Sequence, residues 1–552
     1  MCGIFSYIGR YNLTEEEINY SRYKTKQLKH RGPDHYNEWL NKNIFLGIQR
    51  LSINDLSENG NQPFVYEDKV LVFNGEIYNY KYYQTILEER GYQFKSNCDT
   101  EVFFYFLIEF GFENLDKING MFSFIYFDGN NIHFGNDIFS EKTLFYYKNN
   151  SKIIISSELN NLIDLSKKKF DKKIIYSYLS FGHLIDDKTF YENIFKLKPG
   201  QILTIDKKLD IKEFKYFDPK KFYLNHRKSI GEKNIKLNLF HELIENSLKL
   251  KFNSDREIGL LFSGGLDSTI VMDQIISSRG EKLKIATYTN NKADFQKQNQ
   301  IDKHVNQIFI SDDDLQKNNN AIINLFGQPM DSFTSLAIEN LCSELSKKNI
   351  NCALSGIGGD ELYFGYNKYY DYKSLKFKLK NYYKIGFNKL ASSLISKGYI
   401  TEFIKSKNYK LWINEIFKSN KNFSLTENLF FNDMEFFLPN SRCLTNDVAS
   451  MRHSVELRGS FLDIEMLKTI LSFNLNELVS LGQKKILIDF HSNKFKNFNN
   501  YNKYPFFLRP DQNAHDDAKI SDFIKSIFPE NKINKIDSSL KNRADMLLTF
   551  FS

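Results

Sequence analysis

The run Ile258-Gly259-Leu260-Leu261-Phe262, followed at once by Ser263-Gly264-Gly265-Leu266-Asp267-Ser268 and then TIVMDQIISS, admits few folds. A short apolar run that ends in two glycines and reopens as a helix reads as the strand, turn and helix of a parallel α/β unit. Backbone N–H groups freed by the glycines, together with the positive end of the helix, make a cradle for the β,γ-phosphates of a nucleotide. Asp267 is then a Mg²⁺ ligand. Neither the G-x-x-x-x-G-K-[ST] loop nor the dinucleotide G-x-G-x-x-G is present. The bland alternative is a Ser-Gly helix cap without a ligand.

A chain of 552 residues exceeds what one hydrophobic core supports, so two or more domains are expected. The first ~200 residues read as strands and turns: IFLGIQRLSI, KVLVFNGEIY, FSFIYFDGNNIHFGND and KIIISSE are β-branched and aromatic, with Asn, Gly and Asp at their ends. Helices are expected around Tyr80 to Arg90 and Thr100 to Phe110. The polar, lysine-rich stretch DKKLDIKEFKYFDPKKFYLNHRKS reads as a connecting arm, which places the domain boundary near 215 to 235. Beyond it, amphipathic runs alternate with compact strands such as IGLLF and CALS. That pattern fits a parallel sheet clothed in helices and then a helical C-terminal part.

The five cysteines fall in no metal-ligand spacing and no disulfide framework, which favours a reducing cytoplasm. No secretory leader and no membrane-spanning stretch is recognisable. The net charge of +8 comes from scattered lysines rather than a basic block, so surface solvation is preferred to nucleic-acid binding.

Met1 followed by a small residue is ordinarily trimmed, which would leave Cys2 with a free α-amine beside its thiol. A thiol near ~8.5 needs a base, and an α-amine near ~7.7 to 8.0 can take its proton. An ordinary second-position cysteine is the plain alternative. The order of motifs that follows weighs against it: His30-Arg31-Gly32-Pro33-Asp34, Arg50-Leu51-Ser52-Ile53, Asn74-Gly75-Glu76-Ile77-Tyr78-Asn79 and Asp99-Thr100-Glu101.

This order resembles the class II glutamine amidotransferases, which are N-terminal-nucleophile hydrolases. The chemistry is coherent: Arg50 suits the carboxylate of free glutamine, and Glu76 or Asp99 its ammonium. The resemblance implies Asn74 and Gly75 as oxyanion donors beside Cys2, with Asn74 also touching glutamine. One departure is Asn136-Asp137-Ile138-Phe139-Ser140-Glu141-Lys142-Thr143, where that family carries an Arg and a Gly. It bears on the domain interface more than on Cys2.

SGGLDS is the form carried by ATP pyrophosphatases. A second loop, Leu354-Ser355-Gly356-Ile357-Gly358-Gly359-Asp360-Glu361-Leu362, resembles the signature of glutamine-hydrolysing asparagine synthetases. So do Asp447, Ser450-Met451, Glu456, Arg458, Phe461-Leu462-Asp463 and Gly482-Gln483-Lys484-Lys485. The resemblance, which runs from Cys2 to about Pro510, implies an αββα N-terminal-nucleophile sandwich over 1–215. A parallel-sheet α/β ATP-pyrophosphatase (HUP-like) domain with a helical C-terminal part is implied over 235–552. It implies ATP contacts at Leu261, Ser263, Gly264, Gly265, Asp267, Ser268, Ser355 and Gly356, Mg²⁺ at Asp267 and Asp360, and a catalytic lysine at Lys484, with Lys485 the fallback. Glutamine, ATP and a carboxylate acceptor are the implied small-molecule substrates, no nucleic acid or membrane is implied, and a homodimer is the candidate assembly. Ammonia would pass from Cys2 through an internal tunnel to an acyl-adenylate.

Three departures leave the acceptor open. Ile357 stands where asparagine synthetases commonly carry Glu, the Asp-Arg pair appears as Asp447-Val448, and the Asp-Glu-x-x-Ala helix is not recognisable in NNKADFQKQNQIDKH. An acceptor other than aspartate, such as a uronic acid of a surface polysaccharide, is the alternative. From another class, an RNA-modifying or RNA-binding ATP pyrophosphatase remains compatible with charge and SGGLDS.

Overall fold

The computed structural model describes residues 2–185, 187–228, 237–279, 284–288, 306–310, 318–370, 422–494, 515–527 and 538–552. The segment NNKADFQKQNQIDKH lies outside them. Two six-stranded sheets form the first half. One has the order β10-β8-β9-β1-β3-β2, and the other β12-β11-β7-β6-β5-β4. Here β1 is Cys2–Gly9, β2 His35–Asn41, β3 Ile44–Arg50, β4 Phe64–Tyr66, β5 Lys69–Ile77 and β6 Gly120–Phe127. β7 is Ile132–Asn136, β8 Phe145–Lys148, β9 Lys152–Ser156, β10 Ile194–Lys196, β11 Gln201–Ile205 and β12 Ile211–Lys215.

β1 is buried along its whole length because both its faces are covered. Cys2, Ile4 and Ile8 share a core with Val70, Val72, Ile125 and Phe134 of the other sheet, while Phe5 and Tyr7 join a separate cluster on the opposite face. A strand buried on both sides loses the alternation of apolar and polar residues that marks a half-exposed strand. The helix Glu15–Gln27 packs on β1 and β3, and Tyr80–Glu89 and Asp99–Phe110 pair with each other, the latter against β5. Helices therefore flank two stacked sheets, in an αββα arrangement.

The stretch expected to be a connecting arm is more ordered than its composition implies. Ile211–Lys215 pairs antiparallel with β11, and Pro219–His226 is a helix whose first N–H groups are capped by the Asp218 side chain. An Asp cap with Pro at the first helical position starts a helix whatever the lysine content around it.

The second half carries a parallel sheet of order β15-β14-β13-β16-β17, with β13 Ile258–Leu261, β14 Lys284–Tyr288, β15 Asn306–Ile310, β16 Cys352–Ser355 and β17 Glu456–Gly459. The helices Leu266–Arg279 and Thr334–Ser346 pack on it. Helices dominate the described residues beyond β17. Among the described residues no helix is long and apolar enough to cross a membrane.

Buried ion pairs cross between the halves. Arg31, with no exposed surface, donates through Nη2 to both oxygens of Asp447 at 3.0 Å, through Nη1 to Glu158 at 3.1 Å and through Nε to the Cys2 carbonyl at 3.2 Å. Lys142 Nζ also reaches Asp447, at 3.4 Å. In the departure from the family pattern, Ser140 holds φ +55° where glycine is ordinarily favoured, and its hydroxyl accepts from Asn136 Nδ2 at 2.9 Å. Removing one partner of a buried pair strands the other. Arg31→Leu should therefore lower the unfolding free energy by about 3 kcal/mol in urea denaturation. A loss under about 1 kcal/mol would show that Asp447 and Glu158 find other compensation.

Candidate active site

The β1–β3 ladder sets Cys2 opposite Arg50, and Cys2 N–H donates to Asn74 Oδ1 of β5 at 2.8 Å. Asn74 Nδ2 lies 3.5 Å from Ser123 Oγ. Burial pushes the Cys2 thiol up, and the Arg50 guanidinium and the Leu51 N–H pull the other way. Gln62, which sequence reading did not single out, lies with Nε2 3.8 Å from Cys2 Sγ. Gly75 has φ +155°, and a Cβ there would lie 2.1 Å from the Met121 carbonyl, so only glycine lets β5 run against β6 at that point.

Arg50 is buried, and its four Nη hydrogens are already directed at the Ser57, Asn54 and Asp55 carbonyls and Asn61 Oδ1. A glutamine carboxylate would have to displace part of the 54–61 loop to take the fork bidentately. A side chain at Gly60 would meet Arg50 Nη2 at 2.3 Å, so the loop closes here only with glycine.

Glu76 accepts from Asn54 Nδ2 and faces Arg458 Nη2 at 3.4 Å. Asp99 Oδ2 accepts the Ile77 N–H at 2.7 Å. Burial and the neighbouring Asp99 charge hold the Glu76 carboxyl well above its usual range. Burial pushes Asp99 up only to about 6, so it is the better ionised of the two near neutrality. The structure thus brings Cys2, Asn74, Gly75, Glu76 and Asp99 into one buried neighbourhood, with Arg50 alongside but engaged.

The second site is built by glycines. β13 ends at Leu261, and Gly264 has φ +71°. Ser268 Oγ accepts from the Ser263 N–H at 3.3 Å and donates to the Gly265 carbonyl at 3.0 Å, which folds the loop on itself. Asp267 and Asp360 each lie 2.6 Å from Lys484 Nζ. A Cβ on Gly359 would sit 2.6 Å from Asp267 Oδ1, and one on Gly365 would sit 2.0 Å from Asp360 Oδ1 and 2.3 Å from Lys484 Cε. The three charged groups can meet only because those positions lack side chains. Burial would lower the Lys484 ammonium, but Asp267 and Asp360 hold it above the usual lysine range. Lys485 instead pairs with Asp489 at 2.6 Å and is half exposed.

Ser355 Oγ donates to the Arg458 carbonyl and accepts from Asn446 Nδ2, both at 3.3 Å, and Gly356 approaches Asp267. Among the described residues no three His, Cys, Asp or Glu converge as a metal cage. Two converging carboxylates nevertheless suit a Mg²⁺ that completes its shell with phosphate oxygens and water.

Residues 1–217 match the model of the glutamine amidotransferase domain, and 239–488 that of asparagine synthase. The chain belongs to the glutamine-hydrolysing asparagine synthetase family. Asparagine synthetase [glutamine-hydrolyzing] 1 of Bacillus subtilis is 28% identical over 68% of this chain, and the match spans 60% of the Bacillus protein. Putative asparagine synthetase [glutamine-hydrolyzing] 2 of Methanocaldococcus jannaschii is 29% identical over 66% of this chain and 76% of its own length. Amidase chry2 of Gibberella zeae, also similar, is 28% identical over 46% of this chain and 39% of its own length. Gln62 carried no signal in the sequence, because it is an isolated polar residue whose neighbours, Cys2 and Phe73, lie on separate strands.

An ammonium binds an ionised carboxylate, so glutamine affinity resting on Asp99 should be intact above about pH 6 and fall as pH drops through that value. The pH profile of kcat/KM for glutamate release reads this directly. A flat profile down to pH 5 would remove Asp99 from the role.

Proposed function

We propose that the chain is a glutamine-dependent amidotransferase: Cys2 releases ammonia from glutamine, and the second domain adenylates a carboxylate for that ammonia to attack. The observation that carries this reading is the meeting of Asp267, Lys484 and Asp360 beside two glycine loops of the second domain, in a chain whose first domain holds Cys2 against Asn74.

After removal of Met1, the α-amine of Cys2 takes the thiol proton and the thiolate attacks the glutamine amide carbon. Ammonia leaves, and water cleaves the thioester to glutamate. The Gly75 N–H and the Asn74 amide are the groups available to the oxyanion; Asn74 serves if its Nδ2 turns toward the reacting carbon. In the second domain, the Ser263–Ser268 loop holds the triphosphate. The acceptor carboxylate attacks the α-phosphorus, pyrophosphate leaves, and ammonia displaces AMP from the acyl carbon. Lys484 offsets negative charge as it builds on the phosphates. Mg²⁺, held by Asp267 and Asp360, would supply further charge neutralisation there.

The surroundings of Ile357 favour an acceptor without an ammonium. Ile357 packs against the apolar core, and Glu361 is already held by the Tyr366 hydroxyl at 2.5 Å and the Gly358 N–H at 3.0 Å. The partly exposed Arg442 guanidinium stands 4.0 Å from Glu361. Cation and apolar wall together suit an anion such as a uronic acid. Aspartate is the second reading, supported by the names of the relatives.

Cys2→Ala should abolish glutamine-supported amide synthesis and leave ammonium-supported synthesis within about twofold. Lys484→Ala should slow AMP release by about a hundredfold or more, whereas Lys485→Ala should change it by less than about twofold. AMP release measured across aspartate and a panel of uronic acids identifies the acceptor. Rapid release with aspartate would overturn the Ile357 argument.

A further inference from the structure

A cavity of about 370 Å³ opens at the domain junction, and none of the residues that build the two reaction centres lines it. Its first-domain wall comes largely from the turn between β10 and β11, from β12 and from the start of the helix Pro219–His226. Its second-domain wall comes from the helix Asp433–Cys443 and from Phe431 just before it. Cavities that bind small molecules commonly measure about 300 to 1,000 Å³ and favour such junctions.

Lys196, the last residue of β10, lines this cavity and is only 6% exposed. Its Nζ donates to the Pro439 carbonyl at 2.8 Å and to Asn440 Oδ1 at 2.6 Å. Both acceptors are uncharged, and among the described residues no carboxylate pairs with it. Two bonds use every hydrogen of a neutral amine, whereas an ammonium keeps a third. A buried cation without a counter-ion is costly, and burial pulls the Lys196 amine down to about 7 against the opposing charges of the Cys443 thiol and Asp137. His183, which also faces it, is neutral in this range, since burial pulls its ring down to about 4. The remaining charges around the cavity answer one another: Lys198 lies 3.2 Å from Asp187 and Lys220 2.6 Å from Glu435, Asp218 caps its helix, and Glu213 and Lys215 stand exposed with opposite sign on β12. Lys196 is thus a buried amine whose counter-ion can come only from the cavity.

We propose that the cavity binds a small carboxylic acid with an apolar body, its carboxylate on the third hydrogen of Lys196 and its body among Phe217, Phe431 and Met434. Those three side chains are buried and line the same space. One free hydrogen on one cation suits a monoanionic head, whereas a phosphate calls for several donors. Pro439 and Asn440, which hold Lys196, belong to the helix that brings Arg442 within 4.0 Å of Glu361 and runs on into Leu444–Met451 with Asp447. An occupant therefore touches both domains and lies against the helix that leads to the second reaction centre. The site stands whichever carboxylate the second domain activates.

The test is titration calorimetry on the full chain with 3-phenylpropionate and its neutral isostere 3-phenylpropionamide. The acid should bind at one site with a dissociation constant of about 1 mM or tighter, and the amide at least about tenfold more weakly. Because the cation is present below about pH 7 and lost as pH rises through that value, affinity for the acid should fall about tenfold or more between roughly pH 6.5 and 8.5. A surface lysine, ordinarily charged to about pH 10, would show no such change. Lys196→Met should lose the acid and leave glutamate release within about twofold. If that variant does not fold, the pH comparison on the wild type decides. No saturable binding of the acid up to about 10 mM overturns the inference, as do equal binding of acid and amide, equal affinity at the two pH values, or unchanged binding in folded Lys196→Met.

Discussion

The bidentate pair between Arg31 and Asp447 is the contact on which the rest depends. One end of Arg31 holds the Cys2 carbonyl, and therefore the start of β1. Asp447 belongs to the helix Leu444–Met451, whose preceding residue, Asn446, donates to Ser355 at the end of β16. A single guanidinium thus fixes β1, which begins at Cys2, to the helix that holds the end of β16 in the other domain. Charges with no exposed surface are costly unless fully paired, so this geometry exists only while both domains are folded against each other.

Glycine does the complementary work. Where Arg31 draws distant strands together, Gly75, Gly359, Gly365 and Gly459 mark places where a side chain would hold them apart. Each lies beside a hydrogen-bonded or ion-paired side chain: Asn74, Asp267, Asp360 with Lys484, and Glu141. Close approach and charge are arranged by the same few positions.

Much of this was legible in the sequence, for local reasons. The first-half strands carry their own turn residues, and the helices Tyr80–Glu89 and Asp99–Phe110 follow the expected spacing. The strand, glycine turn and helix at Ile258 to Arg279 needed no distant partner to be recognised. The two lysines could not be separated by reading the chain, because Lys484 is distinguished from Lys485 only by Asp267 and Asp360, far away in sequence. The engagement of Arg50 by the 54–61 loop, and the contacts of Glu141 with Gly459 and of Arg442 with Glu361, were equally invisible. Each depends on which buried surfaces meet, and composition was misleading where the Asp218 cap and Pro219 made a helix out of a lysine-rich stretch.

The central claim is that nitrogen leaves glutamine at Cys2 and reaches the adenylated carboxylate without entering solvent. Glutamine labelled with ¹⁵N at its amide, supplied with ATP, the carboxylate that supports AMP release and an excess of unlabelled ammonium chloride, tests it directly. The account predicts a product amide that keeps nearly all of the glutamine label. A product diluted toward the isotopic composition of the solvent ammonium would contradict it.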